Sequence, residues 1–218
     1  MNVLITGANR GIGRALFDRY HASGVSVTGT SRGAMPEGGD WQALDVTDPA
    51  SHTAMAARLA GKPIDLLVCN AGVYLDKGHT LDSGYDADLW AQQFAVNVTG
   101  VFLTIQSLMP NLRASGSGKI AIISSIMATQ ENAPGGSYIY RASKAAVLNL
   151  GRNLAVDLKP EGIPVGIYHP GWVQTDMGGP QAAITVDQAS AGLAERFVAL
   201  DLETTGCFEA YDGAKLPF

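Results

Sequence analysis

Tyr140 and Lys144 stand four residues apart, one turn of a helix, so their side chains share a face. A phenol ionises near pH 10 in water and is a poor proton donor or acceptor at neutral pH. A neighbouring ammonium favours the phenolate and brings it into range for acid–base work. Ser125 adds a hydroxyl that can hold a carbonyl oxygen beside the phenol. Spacing alone does not separate this set from an ordinary amphipathic helix with a tyrosine in the core and a lysine at the rim. Tyr138 is a rival for the same role, but only Tyr140 has a lysine one turn on.

Other polar residues gather at places a ligand could reach. Gly7, Asn9, Arg10, Gly11, Ile12 and Gly13 form a G-x-x-x-G-x-G run between an apolar segment and a helical one. Glycines there permit a tight turn and let the backbone approach a pyrophosphate at the helix N-terminus. At the end of the next apolar segment come Ser31 and Arg32, where a chain preferring NAD usually has an acid. Arg10 and Arg32 with Ser31 suit a 2′-phosphate, which predicts NADP(H) over NAD(H). A solvated loop charge is the plainer reading of Arg32. Asp45, followed by Val46, could accept from an adenine amine or cap a turn. Asn70, Ala71 and Gly72 read either as a plain turn or as a cofactor wall. After another apolar run, Pro170 and Gly171 turn the chain sharply. With Val173 and Thr175 they are candidate cofactor contacts, Thr175 towards a carboxamide. His169 reads as a structural histidine, and His21, His52 and His79 are assigned no chemistry.

These residues need a scaffold that brings segment ends together. Short apolar runs at 2–6, 25–30, 41–46, 64–69, 119–124, 164–168 and 207–210 read as strands. Helical patterns at 12–22, 49–59, 86–112, 140–158 and 186–199 separate them, the long one with an expected break near 97–100. Strands apolar throughout and alternating with helices indicate a parallel sheet covered on both faces. The expected fold is α/β: a single-domain, Rossmann-type, doubly wound parallel sheet of about seven strands. In such a sheet ligands sit beyond the carboxyl ends of the strands, where the candidate residues fall. Over 218 residues there is no repeat, low-complexity run or linker, so one domain is expected to hold both cofactor and catalytic sites.

Composition sets the remaining bounds. The net charge of −5 argues against nucleic acid or an anionic membrane as partner. Cys69 and Cys207 form no C-x-x-C pair and no metal spacing, so both are expected to be buried, reduced thiols in a cytoplasmic protein, and no metal is expected. The N-terminal residues lack the pattern of a signal peptide, and no apolar stretch is long enough to span a membrane.

The motifs TGANRGIG, LDVTD, CNAG, NVTG, ISS, YRASK and HPGWVQTDM stand in the order found in the short-chain dehydrogenase/reductase family. The chain resembles that family from Thr6 to about Thr175, and within it the sniffer-like carbonyl reductase and C-factor branch. The resemblance implies a catalytic tetrad of Asn97, Ser125, Tyr140 and Lys144. It implies NADP(H)-dependent hydride transfer to or from a carbonyl or alcohol, with Lys144 also on the nicotinamide ribose and Asn97 positioning a water. A carbonyl reductase for a ketone, aldehyde or quinone is the expected activity, and a dinucleotide-binding signalling protein of C-factor type is the alternative. A homodimer or homotetramer is expected, as is common in the family. Three departures stand out. Cys69 replaces a frequent Asn, a small insertion lies around 129–136 between Ser125 and Tyr140, and 178–185 is too short for the usual substrate lid.

Overall fold

The protein is described by a computed structural model covering residues 1–131 and 133–218. Seven strands form one sheet: β1 (Asn2–Ile5), β2 (Ser26–Ser31), β3 (Asp40–Ala43), β4 (Leu66–Cys69), β5 (Lys119–Ile123), β6 (Val165–His169) and β7 (Phe208–Ala210). All pair in parallel, in the order β3-β2-β1-β4-β5-β6-β7. The order reverses between β1 and β4, which opens a crevice at their carboxyl ends. The expected doubly wound sheet is therefore present.

Alternation along the strands builds a core on each face of the sheet. Leu4, Leu67, Cys69, Ile120, Ile122 and Val165 point to one face. There they meet α2 (Pro49–Arg58), α4 (Gly100–Ser115) and α5 (Tyr138–Leu158) through Met55, Ile105, Leu108, Val147 and Ala155. Val3, Ile5, Leu66, Val68, Ala121 and Ile123 point the other way, onto Leu16 and Phe17 of α1 (Gly11–Ala22) and Leu193 and Phe197 of α6 (Val186–Ala199). Burying such a side chain contributes about 1.5–3 kcal/mol.

The helix ends explain several boundaries. Asp48 caps α2 by accepting from Ala50 N, with Pro49 in the first turn. A capping box of Thr185 and Gln188 starts α6. The stretch expected as one helix with a break is α3 (Ala87–Phe94), a π-helical turn at Ala95–Thr99, and α4. The chain does not break there; it widens by one turn around Asn97. The third strand stops at Ala43, short of the expected 46, because Asp45 turns the chain through its own side chain. Helix α5 starts at Tyr138, two residues earlier than expected.

Of the expected insertion, position 132 lies outside the described residues. Gly135, Gly136 and Ser137 all have positive φ, at 81°, 69° and 49°. Glycine adopts such angles freely and serine does not. Among the described residues no helix is long and apolar enough to cross a membrane.

Candidate active site

The glycine loop follows β1 and is clamped from beneath. Gly7 and Gly11 have positive φ. A Cβ on Gly13 would lie 2.4 Å from Asn70 Nδ2 and 2.5 Å from the Gly7 carbonyl, so only glycine fits. Asn70 Nδ2 donates to the Thr6 and Gly7 carbonyls at 2.9 and 3.2 Å. The Thr6 hydroxyl accepts from Asn70 N and Ala71 N, both at 3.0 Å. Thus Asn70 and Ala71 are joined to the loop by hydrogen bonds, and Gly72 follows directly. Arg10 is the N-cap of α1, with no side-chain cap bond and no acid in the first turn. The first N–H groups of a helix have no intrahelical partner and carry the positive end of its dipole.

Asn97 is buried in the π-helical turn. Its Oδ1 accepts from Val73 N at 2.8 Å, and its Nδ2 donates to the Val73 carbonyl at 2.9 Å and to Ser143 Oγ at 3.0 Å. Ser143 in turn donates to the Tyr140 carbonyl at 2.8 Å. The Asn97 amide therefore ties the loop after β4 to the first turn of α5. The amide side chain is engaged by Val73 and Ser143, and its main chain lies within the π-helical turn.

The two serines after β5 divide their work. Ser124 Oγ donates to the Lys144 carbonyl at 3.0 Å and fastens α5 to the strand. Ser125 faces the Tyr140 phenol, where its hydroxyl lowers the phenol pKa. Tyr140 is 8% exposed and Lys144 5%. Lys144 Nζ lies 5.7 Å from the centre of the Tyr140 ring and donates to the Ile123 carbonyl at 3.0 Å. Gly72 leaves the space beside it: a Cβ there would lie 3.6 Å from that Nζ. Burial pushes the phenol up to about 12, against the pull of Ser125, and pushes the Lys144 ammonium down to about 8. Here the structure corrects the spacing argument, which had the ammonium drawing the phenol down. Burial dominates both groups.

The remaining predicted residues fall around the same crevice with varied partners. Ser31 Oγ donates to the Ala34 carbonyl and accepts from Gly33 N, so its hydroxyl serves a turn. Arg32 is exposed and near enough to Asp45 to help lower that carboxyl. The larger cause is Thr47, whose N–H and hydroxyl both donate to Asp45, at 2.9 and 2.7 Å. Of the two readings of Asp45, turn capping is thus observed. Val46 is buried against Gly100, where a Cβ would lie 2.8 Å from the Val46 carbonyl. Asn9 and Arg10 are exposed, and Ile12 packs on the core. The Arg10 guanidinium pairs with Asp176 at 3.0 Å. Pro170 and Val173 are buried, and Gly171 turns at φ 87°. Thr175 lies against Gly11 and uses its hydroxyl on Val173 O and Gly178 N. In place of a lid, residues 173–184 fold into a short loop joined by a Val173–Ile184 bridge, with Trp172 56% exposed beside it.

His169 is half-buried, and burial lowers it to about 4, so it stays neutral at physiological pH. Cys69 is buried as expected, its thiol pushed up to about 12, whereas Cys207 is only half-buried; neither is in a disulfide. Sequence reasoning passed over Thr6, Asp76, Gln93 and Ser143. Thr6 and Ser143 sit inside quoted motifs and could have been found there. Asp76 and Gln93 carry no motif.

Residues 1–184 match the profile of the short chain dehydrogenase family. The chain is 36% identical to the C-signal of Myxococcus xanthus over 166 residues, 76% of this chain and 99% of that one. It is 35% identical to a 1-hydroxy-2-glutathionyl-2-methyl-3-butene dehydrogenase of Rhodococcus sp. (strain AD45), covering 98% of both chains. The structure of an NADPH-bound carbonyl reductase from chicken fatty liver superposes with a TM-score of 0.91 at 30% identity, over 100% of this chain and 98% of that one. With the sheet order, the clamped glycine loop and the ordered motifs already in place, these likenesses identify the chain as a member of the short-chain dehydrogenase family of oxidoreductases.

Proposed function

We propose that the chain is a cytoplasmic NADP(H)-dependent carbonyl reductase acting on a ketone, aldehyde or quinone, with cofactor and catalytic sites in one domain. The observation that carries this reading is Lys144. A buried ammonium with one carbonyl partner among the described residues is costly to maintain. It lies over the ring of a buried tyrosine that Ser125 also faces.

The crevice fits a nicotinamide dinucleotide on three counts. The N-terminus of α1 has no side-chain cap, Gly13 lets the glycine loop close tightly onto Asn70, and no acid ends β2. Residues 7–13 would hold the pyrophosphate. Ser31 and Arg32 would face the 2′-phosphate, with Arg10 released from Asp176 to join them. Asp45, Val46, Asn70, Ala71 and Gly72 would line one wall, and Pro170, Gly171, Val173 and Thr175 the nicotinamide end. NADPH in the chicken carbonyl reductase supports the same preference.

When bound, the reduced nicotinamide supplies the hydride that a substrate carbonyl carbon accepts. The chain's own residues handle the oxygen. Ser125 donates a hydrogen bond to it, and Tyr140 donates the proton that completes the alcohol. The phenolate left behind is stabilised by the Lys144 ammonium, which returns a proton to it. A water held by the Asn97 main chain reloads Lys144 from solvent. Lys144 would also hold the nicotinamide ribose. Tyr74, stacked on Tyr140 with ring centres 4.2 Å apart, and exposed Trp172 give the entrance an aromatic character that suits apolar carbonyls.

A titration with NADPH and NADH, followed by NADPH oxidation over a panel of ketones, aldehydes and quinones, tests the reading. NADPH should bind more tightly, at least one carbonyl should be reduced, and Tyr140→Phe should abolish turnover while sparing NADPH binding. Wild-type turnover in that variant would overturn the assignment. The likeness to C-signal favours a second reading, a dinucleotide-binding signalling protein, which predicts tight NADPH binding with no turnover on any carbonyl. Exposed Trp90 and Phe102 on the helices after β4 suit a homodimer or homotetramer.

A further inference from the structure

Helix α5 has no cap of its own. Ser137, at the N-cap position, is held at φ 49°, and its side chain caps nothing. The first N–H groups of a helix need acceptors from elsewhere when buried. They find one in Asp76, from the loop after β4. Its carboxylate accepts from Ile139 N at 2.8 Å, Tyr140 N at 3.2 Å and Gln93 Nε2 at 3.4 Å. Asp76 is 1% exposed, and none of the ion pairs among the described residues includes it. A buried carboxylate with no cation persists only where donors and a helix N-terminus offset its desolvation.

The residues before Asp76 grip the same region. Val73 holds the Asn97 amide through both its N–H and its carbonyl. Tyr74 stacks on Tyr140 and shares a hydrogen bond with Ser137. Leu75 N donates to Gln93 Oε1 at 2.6 Å. Lys144 is anchored separately, to β5, through the Ile123 carbonyl and Ser124.

We propose that Asp76 is a positioning residue for catalysis: through the first turn of α5 it sets Tyr140 against Ser125 and Lys144. The proposal rests on the reading of Tyr140 as the proton donor. Because Lys144 and the glycine loop have their own anchors, loss of Asp76 displaces the phenol and leaves the cofactor crevice intact. A misplacement of about 1 Å costs on the order of 100-fold in rate.

The test uses the full chain as Asp76→Asn, which keeps the shape and leaves one oxygen for three donors. On the carbonyl that the wild type reduces, kcat per NADPH-binding chain should fall about 10- to 100-fold with the NADPH Kd unchanged. In hydrogen exchange, the Ile139 and Tyr140 amides should exchange at least about tenfold faster, as the loss of one buried hydrogen bond implies, with Lys144 to Leu148 unaffected. This second measurement needs no substrate. A purely structural role would lower the amount of NADPH-binding protein without changing kcat per site. Gln93→Leu removes a partner of Asp76 without touching the carboxylate, and should show the same split at several-fold if Asp76→Asn does not fold. Wild-type kcat per site, or unchanged exchange at Ile139 and Tyr140, overturns the proposal. Tyr140→Phe run alongside separates the two readings. If it is inactive while Asp76→Asn is wild type, only the role of Asp76 fails; if it is active, the role of Tyr140 fails as well.

Discussion

Gly13→Ala joins the fold to the function in one methyl group. The added Cβ would stand 2.4 Å from Asn70 Nδ2, 2.5 Å from the Gly7 carbonyl and 3.1 Å from Ala8 Cα. Two of those neighbours are backbone, so the Asn70 amide must move and release its bonds to the Thr6 and Gly7 carbonyls. Overpacking costs about 1–3 kcal/mol, and each lost hydrogen bond about 1 kcal/mol more. Alanine returns about 1 kcal/mol of helix propensity. A net loss of about 2–4 kcal/mol remains, which for a chain of this size lowers Tm by on the order of 10 °C. Because the displaced groups shape the crevice, NADPH affinity should fall in the same variant. Gly33→Ala is the control: its Cβ would meet nothing within 4 Å, so Tm should stay close to wild type. Thermal unfolding with and without NADPH reads both effects. A Gly13→Ala chain with wild-type Tm and wild-type NADPH Kd would refute the packing argument.

Other consequences are as direct. Lys144 titrates near 8 in the folded chain and near 10.5 when unfolded, because burial penalises its charge. The unfolded chain therefore binds more protons between those values, and stability rises with pH across that window, with the penalty fully present below about 8. Lys144→Met should then be inactive yet more stable than wild type at pH 7, by about 1–3 kcal/mol, with the gap narrowing by pH 10; a gap independent of pH sinks the account. Thr6→Val removes the hydroxyl that accepts from Asn70 N and Ala71 N, and should cost about 1–3 kcal/mol in chemical denaturation along with NADPH affinity. Asp176→Ala frees Arg10 from an exposed pair worth at most about 1 kcal/mol, so stability should barely change. NADPH should then bind up to about fivefold more tightly and NADH no more tightly. Equal gains for both would place Arg10 at the pyrophosphate instead.

Much was determined by sequence alone, because it depends on local order. Apolar runs broken by helical patterns specify a parallel sheet whose ends face one way, and the seven-stranded sheet agrees. Gly7, Gly11 and Gly13 announced a loop that only glycine can form, because φ and Cβ volume are properties of the residue itself. Tyr140 and Lys144 shared a face by helical period. Tertiary structure decided the rest, because burial and long-range partners are set by what folds over a residue. It turned the expected acidic shift of Tyr140 into an upward one, since the surrounding core withdraws both charges from water. The sequence singled out Ser125 and left Ser124 without a role; the turn of α5 brings Ser124 to the Lys144 carbonyl and Ser125 to the phenol. It sent the Arg10 guanidinium to Asp176 and used the Ser31 hydroxyl in a turn. And it capped α5 with Asp76, an unremarked residue of a distant loop, because a buried N-terminus takes whichever acceptor the fold brings to it.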